Sequence, residues 1–118
     1  MSLTSWGNFP KYPNTSIPLD HDTLDTIKSA LHSHTDIIAH GNGRSYGDSA
    51  LNDFLIHTRS YNSILDFDAQ HGVLHVQSGA LLSDILSVIV PRGWFLKITP
   101  GTKQITIGGA IASDIHGK

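Results

Sequence analysis

The feature that most limits how this chain folds is a glycine-rich run at residues 41–48, which directly follows a short apolar segment. Glycines spaced as Gly41, Gly43 and Gly47 let the backbone turn tightly and bring several N–H groups toward one point, which suits phosphate. Only residues 49–53 separate this run from the next predicted strand. The long helix that follows the phosphate loop of a Rossmann domain therefore has no room. The run predicts either a phosphate-binding nest or a plain turn between two strands.

A second glycine-rich stretch begins at Gly101 and continues with the adjacent pair Gly108 and Gly109. Adjacent glycines among small residues let a flat ligand lie against the backbone, and Thr106 offers a hydroxyl beside them. The alternative is a connection in which the glycines serve a helix cap and residues 110–112 start that helix. Because a helix and a hairpin separate the two stretches in so short a chain, we favour one long, bent cofactor that contacts both.

The spacing of apolar residues predicts an α+β fold. Apolar positions at helical spacing predict one helix over residues 22–34 and a second over residues 81–90. Apolar residues that alternate with acidic or polar ones predict a hairpin with arms at 65–67 and 74–76. Residues 69–72 form its turn, because Gly72 is available for a positive φ.

Three short strands are also predicted, at residues 36–40, 54–58 and 94–98. Residues 1–19 contain three prolines, which predicts an irregular or extended arm. Aromatic side chains of this arm, Trp6 and Phe9 among them, are expected to hold it against a core.

Composition narrows the classes of function. A length of 118 residues suits one domain, and a formal charge of −2 gives no basic face for nucleic acid. The absence of cysteine excludes a disulfide framework, a thiolate metal site and a cysteine nucleophile within these residues. No apolar stretch reaches about 18 residues, so no transmembrane segment is predicted. The first residues lack the features of a signal peptide, and we predict a cytoplasmic location.

Eight histidines raise the question of a metal site, and none is predicted. His32 and His34 lie two residues apart near a helix end and point to different faces, which is poor ligand geometry. His57, His71 and His75 have no paired acid at a diagnostic spacing. Each histidine is therefore predicted to lie at the surface or at the edge of a core.

Two stretches resemble the FAD-binding domain of the vanillyl-alcohol oxidase type of flavoenzyme, also called the FAD-linked oxidase or PCMH-type fold. They are residues 41–48, Gly-Asn-Gly-Arg-Ser-Tyr-Gly-Asp, and residues 99–118, which run from Thr-Pro-Gly-Thr to His-Gly-Lys. Both most closely resemble the decaprenylphosphoryl-ribose oxidase branch. The resemblance implies an α+β fold, the first part of such a domain, with short strands, a hairpin and two main helices. Residues 1–118 are then the N-terminal portion of the domain, without its remainder or the substrate domain.

The resemblance implies that the first stretch wraps the FAD pyrophosphate and that the second passes beside the flavin and ribityl chain. The implied cofactor-binding residues are Ala39, His40, Gly41, Asn42, Gly43, Arg44, Ser45, Tyr46, Gly47, Asp48, Ser49, Gly101, Thr106, Ile107, Gly108, Gly109, Ser113, Asp114, Ile115 and His116. Many relatives have a histidine in the first stretch that bonds covalently to the flavin. Arg44 stands at that place here, which predicts noncovalent FAD. Catalytic residues are expected downstream of Lys118.

The resemblance also implies an enzymatic parent, an FAD-dependent oxidoreductase that oxidises a sugar or polyol C–OH to a carbonyl by hydride transfer to flavin. The alternatives are an aldonolactone or alditol oxidase, and a noncatalytic folded module without FAD. A small sugar-type molecule is then the substrate of the full-length protein. The isolated segment is expected to bind FAD weakly or not at all and to be inactive. Apolar surface left by the missing half favours its self-association.

Overall fold

The computed structural model describes residues 2–11, 13–33 and 36–117. It divides the chain into two compact units, Met1–Ser60 and Tyr61–Lys118, and each is described by itself. Helices and short strands occur in both, as predicted for an α+β chain. No helix in the described ranges is long and apolar enough to cross a membrane.

The first unit contains a three-stranded parallel sheet. Strand β1 is Thr15–Pro18, β2 is Ile38–His40 and β3 is Phe54–His57, and the order in the sheet is β1-β3-β2. Leu55 on the central strand is fully buried. The predicted strands at 36–40 and 54–58 are confirmed with shorter bounds, although Thr58 extends the contact with β2 through a backbone N–H···O bond to His40 of 3.0 Å.

Strand β1 lies inside the arm that was predicted to be irregular or extended. Its four residues pair with β3 from Thr15↔Phe54 to Pro18↔His57. Proline at the last position is compatible with an edge strand, where its missing N–H faces no partner strand. The arm's predicted aromatic anchors are wrong, because the side chains of Trp6 and Phe9 are both exposed.

Helix α1, Leu24–Ser33, connects β1 to β2 and confirms the first predicted helix. A 3-10 turn, His21–Thr23, precedes it, and Asp20 caps this turn through hydrogen bonds from the backbone N–H groups of Asp22 and Thr23. Ile27 and Ala30 are buried. Leu31, which shares their predicted apolar stripe, is exposed. The predicted end of this helix at residue 34 lies outside the described residues.

The second unit begins with the predicted hairpin. Strands β4, Ile64–Asp68, and β5, Val73–Val76, pair antiparallel. Gly72 in the connecting turn has φ +68°, the conformation for which glycine was predicted. The turn also needs glycine for space, because a Cβ atom there would lie 2.5 Å from the ring of Trp94.

Helix α2, Leu82–Ile89, confirms the second predicted helix and supplies the core of this unit. Leu82, Ile85 and Ile89 are buried on one face, and apolar side chains of the hairpin pack against them. A 3-10 turn follows the helix and ends at Gly93, whose φ is +84°. The shortest helix, α3, is Ile107–Ala112.

The predicted strand at residues 94–98 is wrong, since the described residues there pair with no strand. The indole of Trp94 instead donates a hydrogen bond of 2.7 Å to the carbonyl oxygen of Ala69 in the hairpin turn. Phe95 and Ile98 are exposed. Of the apolar side chains in this segment, Leu96 packs against the core around α2. The segment thus contributes to the core without pairing as a strand.

Candidate functional site

The first glycine-rich run leaves strand β2 at His40 and turns back toward β3. Gly43 and Gly47 have φ values of +67° and +58°, a region that costs a residue with a side chain about 1–2 kcal/mol. A Cβ atom on Gly43 would also lie 2.7 Å from the carbonyl oxygen of Thr4. Glycine at residue 43 is therefore required both by the turn and by the close approach of another backbone segment.

An open cleft of about 580 Å³ lies over this run. Its walls are one stretch near the N-terminus, residues 2–8, and one from the glycine run, residues 40–44, together with His57. Ligand-binding clefts have volumes of about 300–1,000 Å³, so this one has the size of a small-molecule site. The guanidinium of Arg44 lies 5.2 Å from the ring centroid of Trp6, one residue of each wall. A positive charge thus lies at the cleft beside main-chain N–H groups that no glycine side chain covers, which suits an anionic ligand.

Two histidines form the inner end of the cleft. The Nε2 atom of His40 lies 2.8 Å from the carbonyl oxygen of Thr4. The rings of His40 and His57 meet edge to face, with centroids 6.0 Å apart. Burial lowers the pKa of His57 below its ordinary value of 6.5, and the electrostatic influence of the neighbouring His40 and Arg59 side chains lowers it further.

Replacing His57 by glutamine is expected to flatten the acid side of the stability profile. The unfolded chain binds a proton at this position near pH 6.5, whereas the folded chain binds it only at lower pH. Stability is therefore expected to fall as the pH drops below about 6.5, until the lowered pKa of the folded state is passed. Urea unfolding between about pH 8 and about pH 5 measures this loss. His75→Gln, on the exposed face of β5, is the matched control and should keep the wild-type profile; an unchanged profile in His57→Gln would contradict the assignment.

The second glycine-rich stretch forms a short helix, as one interpretation of the sequence predicted, but the helix begins at Ile107, three residues before the predicted start, and its N-cap is Thr106 and not a glycine. The hydroxyl of Thr106 accepts a hydrogen bond from the backbone N–H of Gly109 at the start of α3. Thr102 also uses its hydroxyl locally, to accept from the backbone N–H of Gln104. Both hydroxyls thus accept a hydrogen bond within their own turns.

Close packing explains two glycines of this stretch, Gly108 and Gly117. A Cβ atom on Gly108 would lie 3.0 Å from the Cβ and the carbonyl oxygen of Ser78. Gly108 also donates a backbone hydrogen bond of 2.9 Å to that oxygen, and Ile107 donates one of 2.8 Å to Ala80. At Gly117, a Cβ atom would collide with the backbone of Thr99. The start of α3 thus packs closely against residues 78–80, which lead into α2.

The predicted cofactor-binding residues form two groups, one in each unit. Residues 39–49 are contiguous along the first loop, where His40 is buried and Tyr46 is exposed. In the second unit, Ile107 and Ile115 pack against the core around α2, while Ser113, Asp114 and His116 are exposed. Asp114 has φ +47°.

Sequence reasoning missed the N-terminal wall of the cleft. Thr4 and Trp6 lie more than thirty residues from the glycine run along the chain, and no local pattern links them to it. It also missed an acid partner of a histidine. Asp68 accepts from the ring of His71 at 2.7 Å, and this bond lowers the pKa of Asp68. A histidine three residues after an aspartate in a turn is the signal that was available.

Comparison with known families places most of the chain in one of them. Residues 20–118 match the family described as FAD binding domain. An 84-residue stretch is 40% identical to decaprenylphosphoryl-beta-D-ribose oxidase from Mycolicibacterium smegmatis, and it covers 70% of this chain and 18% of that protein. A 77-residue stretch is 32% identical to L-gulonolactone oxidase from Mus musculus, and it covers 64% of this chain and 18% of that protein. The chain thus spans less than a fifth of the length of these relatives.

Solved structures give the same architecture. Cholesterol oxidase from Brevibacterium sterolicum matches 99% of this chain and 27% of its own with a TM-score of 0.73 at 18% identity. An alkyldihydroxyacetonephosphate synthase matches 89% of this chain and 21% of its own with a TM-score of 0.71 at 21% identity. These likenesses confirm the predicted fold class, with its two main helices, hairpin and short strands.

Proposed function

The chain belongs to the family of FAD-binding domains, which confirms FAD as the predicted cofactor, and we propose that it is the N-terminal portion of this domain in a longer flavin-dependent oxidoreductase. The observation that carries the proposal is the coincidence of the first glycine-rich run with the cleft of about 580 Å³. The matches cover only 18% of each of two longer relatives, which supports the view that further segments complete the domain and bind the substrate.

The residues of the cleft fit the diphosphate of FAD. Backbone bends at Gly43 and Gly47 leave room for phosphate oxygens to approach main-chain N–H groups. The guanidinium of Arg44 offers paired donors and a fixed positive charge for the same oxygens. In the second unit, the residues around Gly108 and Gly109 are proposed to contact the flavin. Bound FAD supplies a hydride acceptor, and these residues bind and orient it.

The proposed reaction is oxidation of a sugar or polyol C–OH to a carbonyl. The support is the 40% identity to decaprenylphosphoryl-beta-D-ribose oxidase, whose name gives a ribose derivative as its substrate. An aldonolactone or alditol oxidase is the second candidate, and the relative named L-gulonolactone oxidase favours it. Assays of the longest reading frame that contains residues 1–118, with each substrate class and with oxygen against artificial acceptors, separate the two.

Purification of that longer protein is expected to give a yellow protein with the visible absorption bands of flavin. Acid precipitation should release the colour into the supernatant, because Arg44 replaces the histidine that carries a covalent flavin in carbohydrate oxidases. A white pellet with FAD in solution is the expected result. A yellow pellet would contradict noncovalent binding, and a colourless purified protein that FAD does not stabilise would contradict the proposed function.

A further inference from the structure

The N-terminal strap, defined as residues 2–8, is held in place at its far end by a pair of amide hydrogen bonds. The side chain of Asn14 accepts from the backbone N–H of Leu3 at 3.1 Å and donates to the carbonyl oxygen of Leu3 at 2.9 Å. Ser5 is buried and donates through its hydroxyl to the carbonyl oxygen of Phe9 at 3.1 Å. The strap is therefore an ordered wall of the cleft.

Several contacts join the strap to the end of β2 and the glycine run. The ring of His40 meets the carbonyl oxygen of Thr4 at 2.8 Å, and a Cβ atom on Gly43 would lie 2.7 Å from the same oxygen. The backbone N–H of Trp6 donates to the carbonyl oxygen of Ser45 at 3.0 Å. Because a carbonyl oxygen only accepts, Nε2 of His40 carries the proton and is the donor.

The surroundings of His40 indicate that the hydrogen bond from its Nε2 atom, and not packing alone, accounts for a histidine at this position. The side chain is buried, and its Nδ1 atom has no hydrogen-bond partner among the described residues. An unpartnered buried nitrogen costs free energy that a phenyl ring of similar shape would avoid. What the imidazole offers in return is the bond to Thr4, which fixes the strap.

The strap in turn positions the guanidinium of Arg44, the positive charge at the cleft. Trp6 follows Thr4 by two residues, and its ring lies against the guanidinium of Arg44 at 5.2 Å. Both side chains are otherwise exposed, so this contact limits the positions that Arg44 samples. A chain of contacts thus leads from His40 through Thr4 and Trp6 to Arg44.

We propose that His40 is a positioning residue: it holds the strap through Thr4 so that Trp6 keeps Arg44 at the cleft, and it thereby strengthens the binding of a diphosphate group. This inference rests on the proposed function, because FAD is the molecule that carries the diphosphate. The side chain of His40 acts on the strap and needs no contact with the cofactor itself.

The strap is tested in the ligand-free chain by hydrogen exchange of the Trp6 amide. His40→Phe is expected to speed this exchange at least about tenfold, since the hydrogen bond between the His40 ring and the carbonyl oxygen of Thr4 is lost. His40→Gln, whose amide nitrogen reaches about as far as Nε2, should stay within about threefold of wild type. The Thr15 amide, bonded to Asp53 in the neighbouring backbone, is the internal control and should not change.

The role in binding is tested by FAD titration of the longer flavoprotein, as wild type and with each of the same two substitutions. The affinity of His40→Phe is expected to fall about tenfold, which corresponds to one lost hydrogen bond, and His40→Gln should restore it. Where His40→Phe does not fold, His40→Asn takes its place with the same expected results, because its amide is too short to reach Thr4.

The outcomes separate this inference from the proposed function. If the Trp6 amide of His40→Phe exchanges at the wild-type rate while the Thr15 control is unchanged, His40 does not hold the strap. If the Trp6 amide exchanges faster but FAD affinity is unchanged, the strap has no role in binding. If the longer wild-type protein binds no FAD, the proposed function fails and the diphosphate role with it. The exchange data still decide whether His40 holds the strap.

Discussion

Replacing Gly43 by alanine is expected to lower FAD affinity at least about thirtyfold, the equivalent of about 2 kcal/mol. Two costs combine at this position. The backbone has φ +67°, which is unfavourable for alanine by about 1–2 kcal/mol. The new methyl group would also lie 2.7 Å from the carbonyl oxygen of Thr4, so the glycine run and the strap must move apart. The longer flavoprotein, titrated with FAD, provides the measurement.

Gly47→Ala is the matched control for this substitution. Its φ of +58° imposes a similar backbone cost, but a Cβ atom there would meet nothing within 4 Å. Affinity is therefore expected to fall by only about fivefold, the equivalent of about 1 kcal/mol. Equal losses of FAD affinity for Gly43→Ala and Gly47→Ala would show that contact with the carbonyl oxygen of Thr4 does not contribute to the cost at Gly43. Unchanged affinity in both variants would show that the first glycine run is not part of the cofactor site.

Ile85→Ala is expected to destabilise the second unit by about 3–4 kcal/mol, the usual range for a large aliphatic side chain cut back in a well-packed core. Ile85 is 1% exposed at the centre of the apolar face of α2. The side chains of the hairpin pack against that face, so the cavity cannot collapse without moving β4 and β5. Such a loss is a large share of the stability of a small domain.

Urea unfolding of the chain, followed by circular dichroism, measures the effect of Ile85→Ala. Leu65→Ala is the control, because Leu65 on β4 is 52% exposed and its truncation should cost less than about 1 kcal/mol. A loss below about 1 kcal/mol for Ile85→Ala would contradict the core that the structure assigns to α2.

The second unit shows what a local pattern can predict. Alternating apolar residues on either side of a glycine turn specify the hairpin, and five aliphatic residues at helical spacing specify α2. Both signals come from contacts between residues close in sequence. The segment at 94–98 has the same apolar character without a partner strand, and its tryptophan packs on the turn of the hairpin. The hydrogen bond from Trp94 to the carbonyl oxygen of Ala69 spans 25 residues, so no local sequence pattern could predict it.

The first unit shows the limits of such patterns. Strand β1 has four residues without clear alternation and ends at Pro18, so its sequence gives little sign of the strand that pairing with β3 creates. The glycine run was located correctly because positive φ values demand glycine. Its opposite wall was missed, because the contact between His40 and Thr4 spans 36 residues and depends on how the arm folds back.

The central claim is that the first glycine-rich run binds the diphosphate of FAD. Titration of the FAD-free form of the longer flavoprotein, labelled with ¹⁵N at glycine and followed by amide NMR, tests it most directly. The account predicts that the amide signals of Gly43 and Gly47 shift with FAD and also with ADP, which carries the diphosphate without the flavin. Signals of both glycines that stay in place with either ligand would contradict it.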